Sequence, residues 1–203
     1  MGTLLLLLHK VALSCTIHNM LKFKKQLGNA LMAFSALGLL FIYYPFLKEL
    51  FFPPQITSEI RRDTSFSIEI PSIKVFSKVI PNVDPFNEKE YLEKLKEGVA
   101  QAEGTSMPGE GGTVYLFAHS SDVPWRITRY NTAFFKLDFV KNNDTIYIRR
   151  NGKEFKYRVY GKKTVWPSEV SYLKKPQGNI LILQTCTPVG TALQRLLVFA
   201  KPI

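Results

Sequence analysis

The chain has 203 residues, 46% of them hydrophobic, and a formal net charge of +11. That length suits one globular domain with an appendage, and it disfavours a multidomain assembly. The charge invites an anionic partner. No RNP-type aromatic motif, zinc-finger spacing or helix-turn-helix pattern accompanies it, so nucleic acid is not expected and anionic membrane or cell wall is the natural neighbour.

Four of the 27 basic residues, Lys10, Lys22, Lys24 and Lys25, precede residue 27, where no acid occurs. Residues 27–47 (LGNALMAFSALGLLFIYYPFL) follow without a single charge. A run of that length crosses a bilayer as a helix. Tyr43 and Tyr44 sit near one end, as an interfacial aromatic belt does. By the positive-inside rule the preceding lysines put the N-terminus in the cytoplasm and everything after about residue 48 outside. The bland alternative is a buried core helix. A cleaved signal peptide fits less well, because Phe51-Phe52-Pro53-Pro54 follows the run where small residues would be needed. The expected organisation is therefore a cytoplasmic segment over 1–26, an anchor helix over 27–47, a linker over 48–65 and a single-pass-anchored domain over 66–203.

Beyond the linker the pattern changes period. Phe66-Ser67-Ile68-Glu69-Ile70 alternates as a half-buried strand, breaks at Pro71 and resumes at Ile73-Lys74-Val75-Phe76. Asn87 with Glu90 three residues on has capping-box spacing, so a helix is expected from there to Gly98. A turn-rich loop over 104–112 leads to Thr113-Val114-Tyr115-Leu116-Phe117-Ala118, a buried strand that delivers His119. A helical turn is expected around 132–139. Asn151-Gly152 then joins two alternating runs as a hairpin. A connector carrying Trp166-Pro167-Ser168-Glu169 reaches Leu181-Ile182-Leu183-Gln184-Thr185-Cys186, and Arg195 opens a final apolar run. Seven or eight short strands with little helix predict a mainly all-β domain closed, or nearly closed, into a barrel.

Two cysteines and three histidines occur in the whole chain, and only Cys186 and His119 lie beyond the apolar N-terminal region. With Cys15 on the cytoplasmic side the two thiols cannot pair. An unpaired external cysteine is either a small core residue or a reactive thiol. Reactivity needs the thiolate, which a neighbouring imidazolium or guanidinium favours. His119 taken alone is as consistent with a structural role, and Arg195 with a surface charge opening a strand. Three rare residue types at three strand termini fit one cleft better than three accidents. No Cys or His cluster suggests zinc, no phosphate loop is present, and neither a metal nor a cofactor is expected.

Over residues 68–202 the sequence resembles the sortases, membrane-anchored cysteine transpeptidases of bacterial surfaces. The carriers are Leu183-Gln184-Thr185-Cys186, similar to the family's Thr-Leu-x-Thr-Cys signature, and Arg195 with its apolar strand. Ile70-Pro71-Ser72-Ile73 and the Gly104-Thr105 to Pro108-Gly109-Glu110 stretch ahead of His119 add to the match. Ile182 stands where the signature has threonine, Ala118 where glycine is frequent before the histidine, and Asn142-Asn143-Asp144 where Gly-Asp is common. The Cys-Thr-Pro step resembles class D and E members more than class B.

The resemblance implies an eight-stranded sortase-type β-barrel with one or two short helices behind the transmembrane helix. It implies a catalytic trio of Cys186, His119 and Arg195. Its substrates would be surface proteins bearing a C-terminal sorting signal of the Leu-Pro-x-Thr-Gly kind. Its amine acceptor would be a peptidoglycan precursor or a pilin lysine. Thr185, Trp125 and Trp166 are expected to border the peptide groove, each with packing as its plainer role, and Asp122 is weighed as a partner of His119. Two rivals stay on the page: a membrane-tethered, non-enzymatic β-domain for adhesion or scaffolding, and a hydrolytic cysteine peptidase. The order of His119 before Cys186 disfavours a papain-like arrangement.

Overall fold

A computed structural model describes residues 2–51, 65–120, 133–174 and 177–203. It divides into two compact units, Met1–Lys48 and Glu49–Ile203. The first is one helix, α1 (Gly2–Phe51). It takes in the shorter apolar stretch near the N-terminus as well as the expected anchor. Within it, Lys22–Tyr44 is long and apolar enough to cross a membrane, and none of its surface is buried. At 1.5 Å per residue those 23 residues reach about 35 Å, more than the roughly 30 Å of a bilayer's hydrocarbon core.

In the second unit the period-2 patterns become strands. These are β1 (Phe66–Ile70), β2 (Val75–Val83), β3 (Val99–Ala102), β4 (Val114–Phe117), β5 (Thr145–Arg150), β6 (Lys153–Val165), β7 (Leu181–Thr187) and β8 (Gln194–Pro202). They close into a barrel in the order β1-β2-β3-β4-β7-β8-β6-β5. Two neighbouring pairs, β2 with β3 and β4 with β7, run parallel, and the remaining ladders are antiparallel. Short helices α2 (Glu88–Lys94) and α3 (Ser171–Lys174) and two 3-10 turns, Pro71–Ile73 and Leu137–Phe139, complete the described part. The sequence-derived fold class, a closed eight-stranded barrel with few helices, matches this architecture.

Closure rests on apolar alternation. Ile68, Ile146, Ile148, Leu116, Leu183 and Val198 are fully buried, and the loop residues Phe134 and Leu137 join them in the core. The β1–β5 seam adds an ion pair: Arg149 Nη1 lies 2.7 Å from the Glu69 carboxylate, and its Nη2 lies 2.8 Å from Glu154. Asn151 and Gly152 both hold positive φ, 51° and 75°, the mirror-image turn that matches the twist of the β5–β6 hairpin.

The structure corrects the expected elements in two places. The helix expected to run to Gly98 ends at Lys94, and β3 follows it. Four residues with two alanines carry no strand pattern of their own. They form a strand because β2 and β4 supply ladder partners on both sides. Gln101, buried within it, accepts from the Asn82 amide at 2.7 Å and donates to Ala102 O at 2.6 Å and Thr105 Oγ1 at 2.8 Å. Those bonds hold the irregular end of β2, which the sequence had ended early, at Phe76.

Candidate active site

Strands β4, β7 and β8 are neighbours, and their registers fix which side chains share a face. Directly opposite residues project to the same side of a sheet, and successive residues alternate. Cys186 is opposite Arg195, Gln184 opposite both Leu197 on β8 and Phe117 on β4, and Ile182 opposite Tyr115. One face of this wall therefore carries Tyr115, Phe117, Ile182, Gln184, Cys186, Arg195 and Leu197. The other carries Leu116, Leu183, Thr185, Leu196 and Val198, all buried in the barrel interior. The first set lies on the opposite side: Gln184, Cys186 and Arg195 are half-buried there, whereas Tyr115, Phe117, Ile182 and Leu197 are buried as well. Helix α2 covers part of it: the Tyr91 ring meets Phe117 edge-on, with centroids 6.2 Å apart. Farther along, Tyr172 of α3 packs on Phe199 at 5.6 Å.

The strand ends make the upper rim of this face. Cys186 is half-buried near the end of β7 and is a free thiol. Arg195, across from it, donates through Nη1 to the Ala192 and Gln194 carbonyls at 3.0 and 3.2 Å. Its guanidinium is thereby tied to the β7–β8 turn. His119 comes two residues after Phe117, so the alternation of β4 carries it to the same outer side, half-buried. Its backbone is fixed on both flanks. Ala118 N–H donates to Gln184 O at 3.1 Å, and Phe134 N–H donates to His119 O at 3.2 Å. The ends of β4, β7 and β8 thus lie at one edge of the wall, with Cys186 and Arg195 in register.

Thr185 points the other way. It is 4% exposed, and its hydroxyl donates to Ala118 O at 2.9 Å. The residue before Cys186 is in this way bonded to the residue before His119. Trp166 stands at the far end of β6, just beyond Val165, which is opposite Arg195; its ring is largely exposed. Trp125 and Asp122 lie outside the described residues. Among the described residues no cluster of three His, Cys, Asp or Glu side chains is arranged to hold a metal ion.

Two tyrosines register the electrostatics. Burial raises the Tyr91 hydroxyl above its usual range, and the Glu88 carboxylate adds to this; Arg195 pulls it back, and Cys186 raises it further. Burial drives Tyr115 well above the ordinary phenol range, with Arg195 opposing. Both phenols are therefore neutral at physiological pH and within the electrostatic reach of the rim. Sequence reasoning placed Tyr91 in a helix and Tyr115 in a strand without assigning either to the site. The available signal was polar: Tyr115 and Gln184 each interrupt an otherwise apolar strand.

Comparison with known proteins agrees with this geometry. The family model for the sortase domain matches residues 68–203. No curated protein sequence is similar enough to count as a relative. Among solved structures, sortase A from Corynebacterium diphtheriae is 28% identical with a TM-score of 0.57, covering 69% of this chain and 60% of that one. Sortase C-1 from Actinomyces oris is 31% identical with a TM-score of 0.57, covering 68% of this chain and 72% of that one. Clostridium perfringens sortase C, solved with a C-terminal cell wall sorting motif, is 28% identical with a TM-score of 0.56, covering 73% and 77%. The chain spans 60% of the length of the Corynebacterium protein. With the domain match covering most of the chain and the barrel order and rim described above, the chain belongs to the sortase family.

Proposed function

We propose that this chain is a membrane-anchored cysteine transpeptidase in which Cys186, His119 and Arg195 carry the reaction. The observation that supports it most is the register pairing of Cys186 with Arg195 on the face that also receives His119. The substrate is a protein with a C-terminal sorting signal of the Leu-Pro-x-Thr-Gly kind. The Cys186 thiolate attacks the threonine carbonyl, and a tetrahedral oxyanion forms. In this reading the Arg195 guanidinium stabilises that charge and steadies the peptide. Collapse breaks the Thr–Gly bond: the glycine amine leaves with a proton from His119, and the acyl group stays on sulfur as a thioester. An amine then enters, gives its proton to His119, and attacks the thioester. The products are a new amide and the regenerated thiol. Water in place of the amine gives hydrolysis, the peptidase-like side reaction.

Only the thiolate–imidazolium form is reactive, and the population of that form is a property of the coupled pair. Lys22–Tyr44 supplies the membrane anchor, and the lysines at its N-terminal end are read by the positive-inside rule as cytoplasmic, with the barrel outside the cell. The amine is expected from a peptidoglycan precursor or a pilin lysine.

The test is direct. The full chain in detergent is incubated with Leu-Pro-x-Thr-Gly and Leu-Ala-x-Thr-Gly peptides plus an amine, and mass spectra are searched for cleavage between Thr and Gly. A thioester on Cys186 is expected, absent in Cys186→Ala. Turnover is expected to fall by orders of magnitude in His119→Ala and Arg195→Ala. Near-normal turnover in Arg195→Ala removes that residue from the mechanism. Failure of native Cys186 to react with a methanethiosulfonate reagent removes the thiol chemistry altogether.

A further inference from the structure

Away from the rim, the outer side of β6 and β8 carries a cluster of cations. Arg158 of β6 stands directly opposite Lys201 of β8, and Lys156 lies two residues before Arg158 on the same alternation. All three are exposed, whereas their strand neighbours Tyr157, Val159 and Ala200 are buried. Directly opposed side chains have Cβ atoms about 5 Å apart, and two residues along a strand span about 6.6 Å. Like charges so placed weaken the ladder that holds them, and an anion laid across them relieves the repulsion. Glu154, two residues before Lys156, is already held by Arg149 Nη2 at 2.8 Å and lies 3.8 Å from Lys156 Nζ. Two tyrosines flank the cluster. Lys156 Nζ stands 5.8 Å from the Tyr147 ring centre, and Lys201 Nζ stands 5.0 Å from that of Tyr160, which is 45% exposed. Lysines paired with tyrosine rings suit a membrane–water interface, where both side chains keep an apolar body and a polar tip.

We propose that this face docks on anionic phospholipid headgroups of the membrane that anchors the chain, with Lys156, Arg158 and Lys201 on the lipid phosphates and Tyr160 at headgroup level. The inference rests on the membrane anchor of the proposed function and is independent of the chemistry at Cys186. Chain connectivity favours a bilayer over a free polyanion. Residues 52–64, at about 3.6 Å each, form a tether of no more than about 47 Å. Phe66 is opposite Arg150, and Asn151 N–H donates to Ser65 O at 2.8 Å, so the chain enters the barrel beside the β5–β6 hairpin. That hairpin leads straight into the cationic stretch of β6. The tether holds the headgroups at high effective concentration, and each basic residue at an anionic surface then favours the docked state about fivefold. Lys201 lies six positions along β8 from Arg195, about 20 Å away, which leaves the rim to the peptide.

The experiment reconstitutes the full chain in nanodiscs of phosphatidylglycerol or of phosphatidylcholine, acylates lysines with a water-soluble ester, and quantifies each site by mass spectrometry. Lys156 and Lys201 are expected to react about fivefold more slowly in the phosphatidylglycerol discs. Lys94 and Lys96 are the controls: α2 packs on β2 and β3, and β3 is across the barrel order from β6, so their rates should match in the two discs. Salt at 1 M, where the screening length is about 3 Å, should abolish the difference. The double variant Arg158→Gln, Lys201→Gln should bring the Lys156 rates in the two discs together. Should that variant fail to fold, the wild-type rates decide alone. Equal wild-type rates at Lys156 and Lys201 in the two discs, or equal protection of Lys94 and Lys96, overturn the docking and leave the anchor standing. Protection in phosphatidylcholine discs by soluble glycerol 3-phosphate at the same headgroup concentration assigns the cluster to free phosphate and also overturns it. Failure of the chain to enter either disc overturns the anchor and the docking together.

Discussion

Thr185→Val isolates the link between the two strands that carry the thiol and the imidazole. Valine keeps the branched shape and the strand preference and removes only the hydroxyl. The lost bond is the 2.9 Å contact to Ala118 O, made by a side chain that is 4% exposed. Leaving a buried carbonyl without its partner costs about 1–3 kcal/mol; burying a methyl in place of the hydroxyl returns part of this. A net loss of about 1–2 kcal/mol is expected. For a domain of this size that lowers Tm by roughly 3–8 °C. The second consequence is local. Ala118 precedes His119, so a loosened Ala118 carbonyl lets the imidazole drift relative to Cys186. A misplacement on the order of 1 Å costs as much as 10²-fold in rate. Calorimetry and peptide kinetics on wild type, Thr185→Val and Thr185→Ser separate the two effects. Thr185→Ser keeps the hydroxyl and should stay close to wild type in both. In Thr185→Val the pH profile of kcat/KM should also shift, which a purely structural loss would not produce. An unaltered Tm would refute the energetic role of the bond, and normal turnover with a normal pH profile would refute its coupling to His119.

Three further substitutions test the barrel itself. Arg149→Met removes the 2.7 Å ion-pair partner of the Glu69 carboxylate, whose side chain is only 8% exposed, and should lower stability by about 1–3 kcal/mol in chemical denaturation. A loss below about 1 kcal/mol would mean that the ion pair contributes no more than an exposed one. Ser67→Ala removes a buried hydroxyl that meets no hydrogen-bond partner among the described residues, on the strand opposite β7 in the barrel order, and should raise stability by about 1 kcal/mol with activity unchanged. Burial pushes the Tyr157 hydroxyl up to about 12, against an unfolded value near 10. Between those pH values the unfolded chain has released the proton and the folded chain retains it. Stability is therefore complete below about pH 10 and falls by up to roughly 2 kcal/mol toward pH 12. Tyr157→Phe should flatten that alkaline limb of a denaturation series, and an unchanged slope would remove Tyr157 from it.

Much of this was readable from residue patterns because the elements concerned carry local signals. The β5–β6 hairpin follows from Asn151-Gly152 between alternating runs. Strands β7 and β8 follow from apolar stretches that end and begin at Cys186 and Arg195. The full extent of β2 and all of β3 were not legible. Their hydrogen bonds come from neighbours distant in sequence, and Val99-Ala100-Gln101-Ala102 has neither period nor β-branched density to announce a strand. The same distinction holds at the site. Single residues of rare type stood out, whereas pairs formed across strands did not. Tyr115 and Gln184 are 69 positions apart, and only the parallel register of β4 on β7 makes them partners. Thr185 shows the converse: its place beside Cys186 suggested a substrate contact, while strand alternation turns its hydroxyl inward.

The position of the rim outside the barrel has a physical reason. Eight strands enclose a space that side chains fill, and here Ile68, Ile148, Leu116 and Leu183 occupy it completely. The proposed chemistry on a peptide would then take place on an outer face, where rigidity is harder to obtain. The β4–β7–β8 wall obtains it by bringing strand termini, rather than loop tips, to one edge. Cys186 and Arg195 are in register on paired strands, and the His119 backbone is tied to β7 through Ala118 and to the core through Phe134. Helix α2 adds Tyr91 as a side wall against Phe117. Of the three rim residues, His119 alone is held by backbone bonds just past its strand rather than by the ladder itself. Its geometry is therefore the most sensitive to substitutions in the interior, and that is why the buried Thr185 hydroxyl, bonded to the residue before His119, is the place to test the proposed reaction from within the barrel.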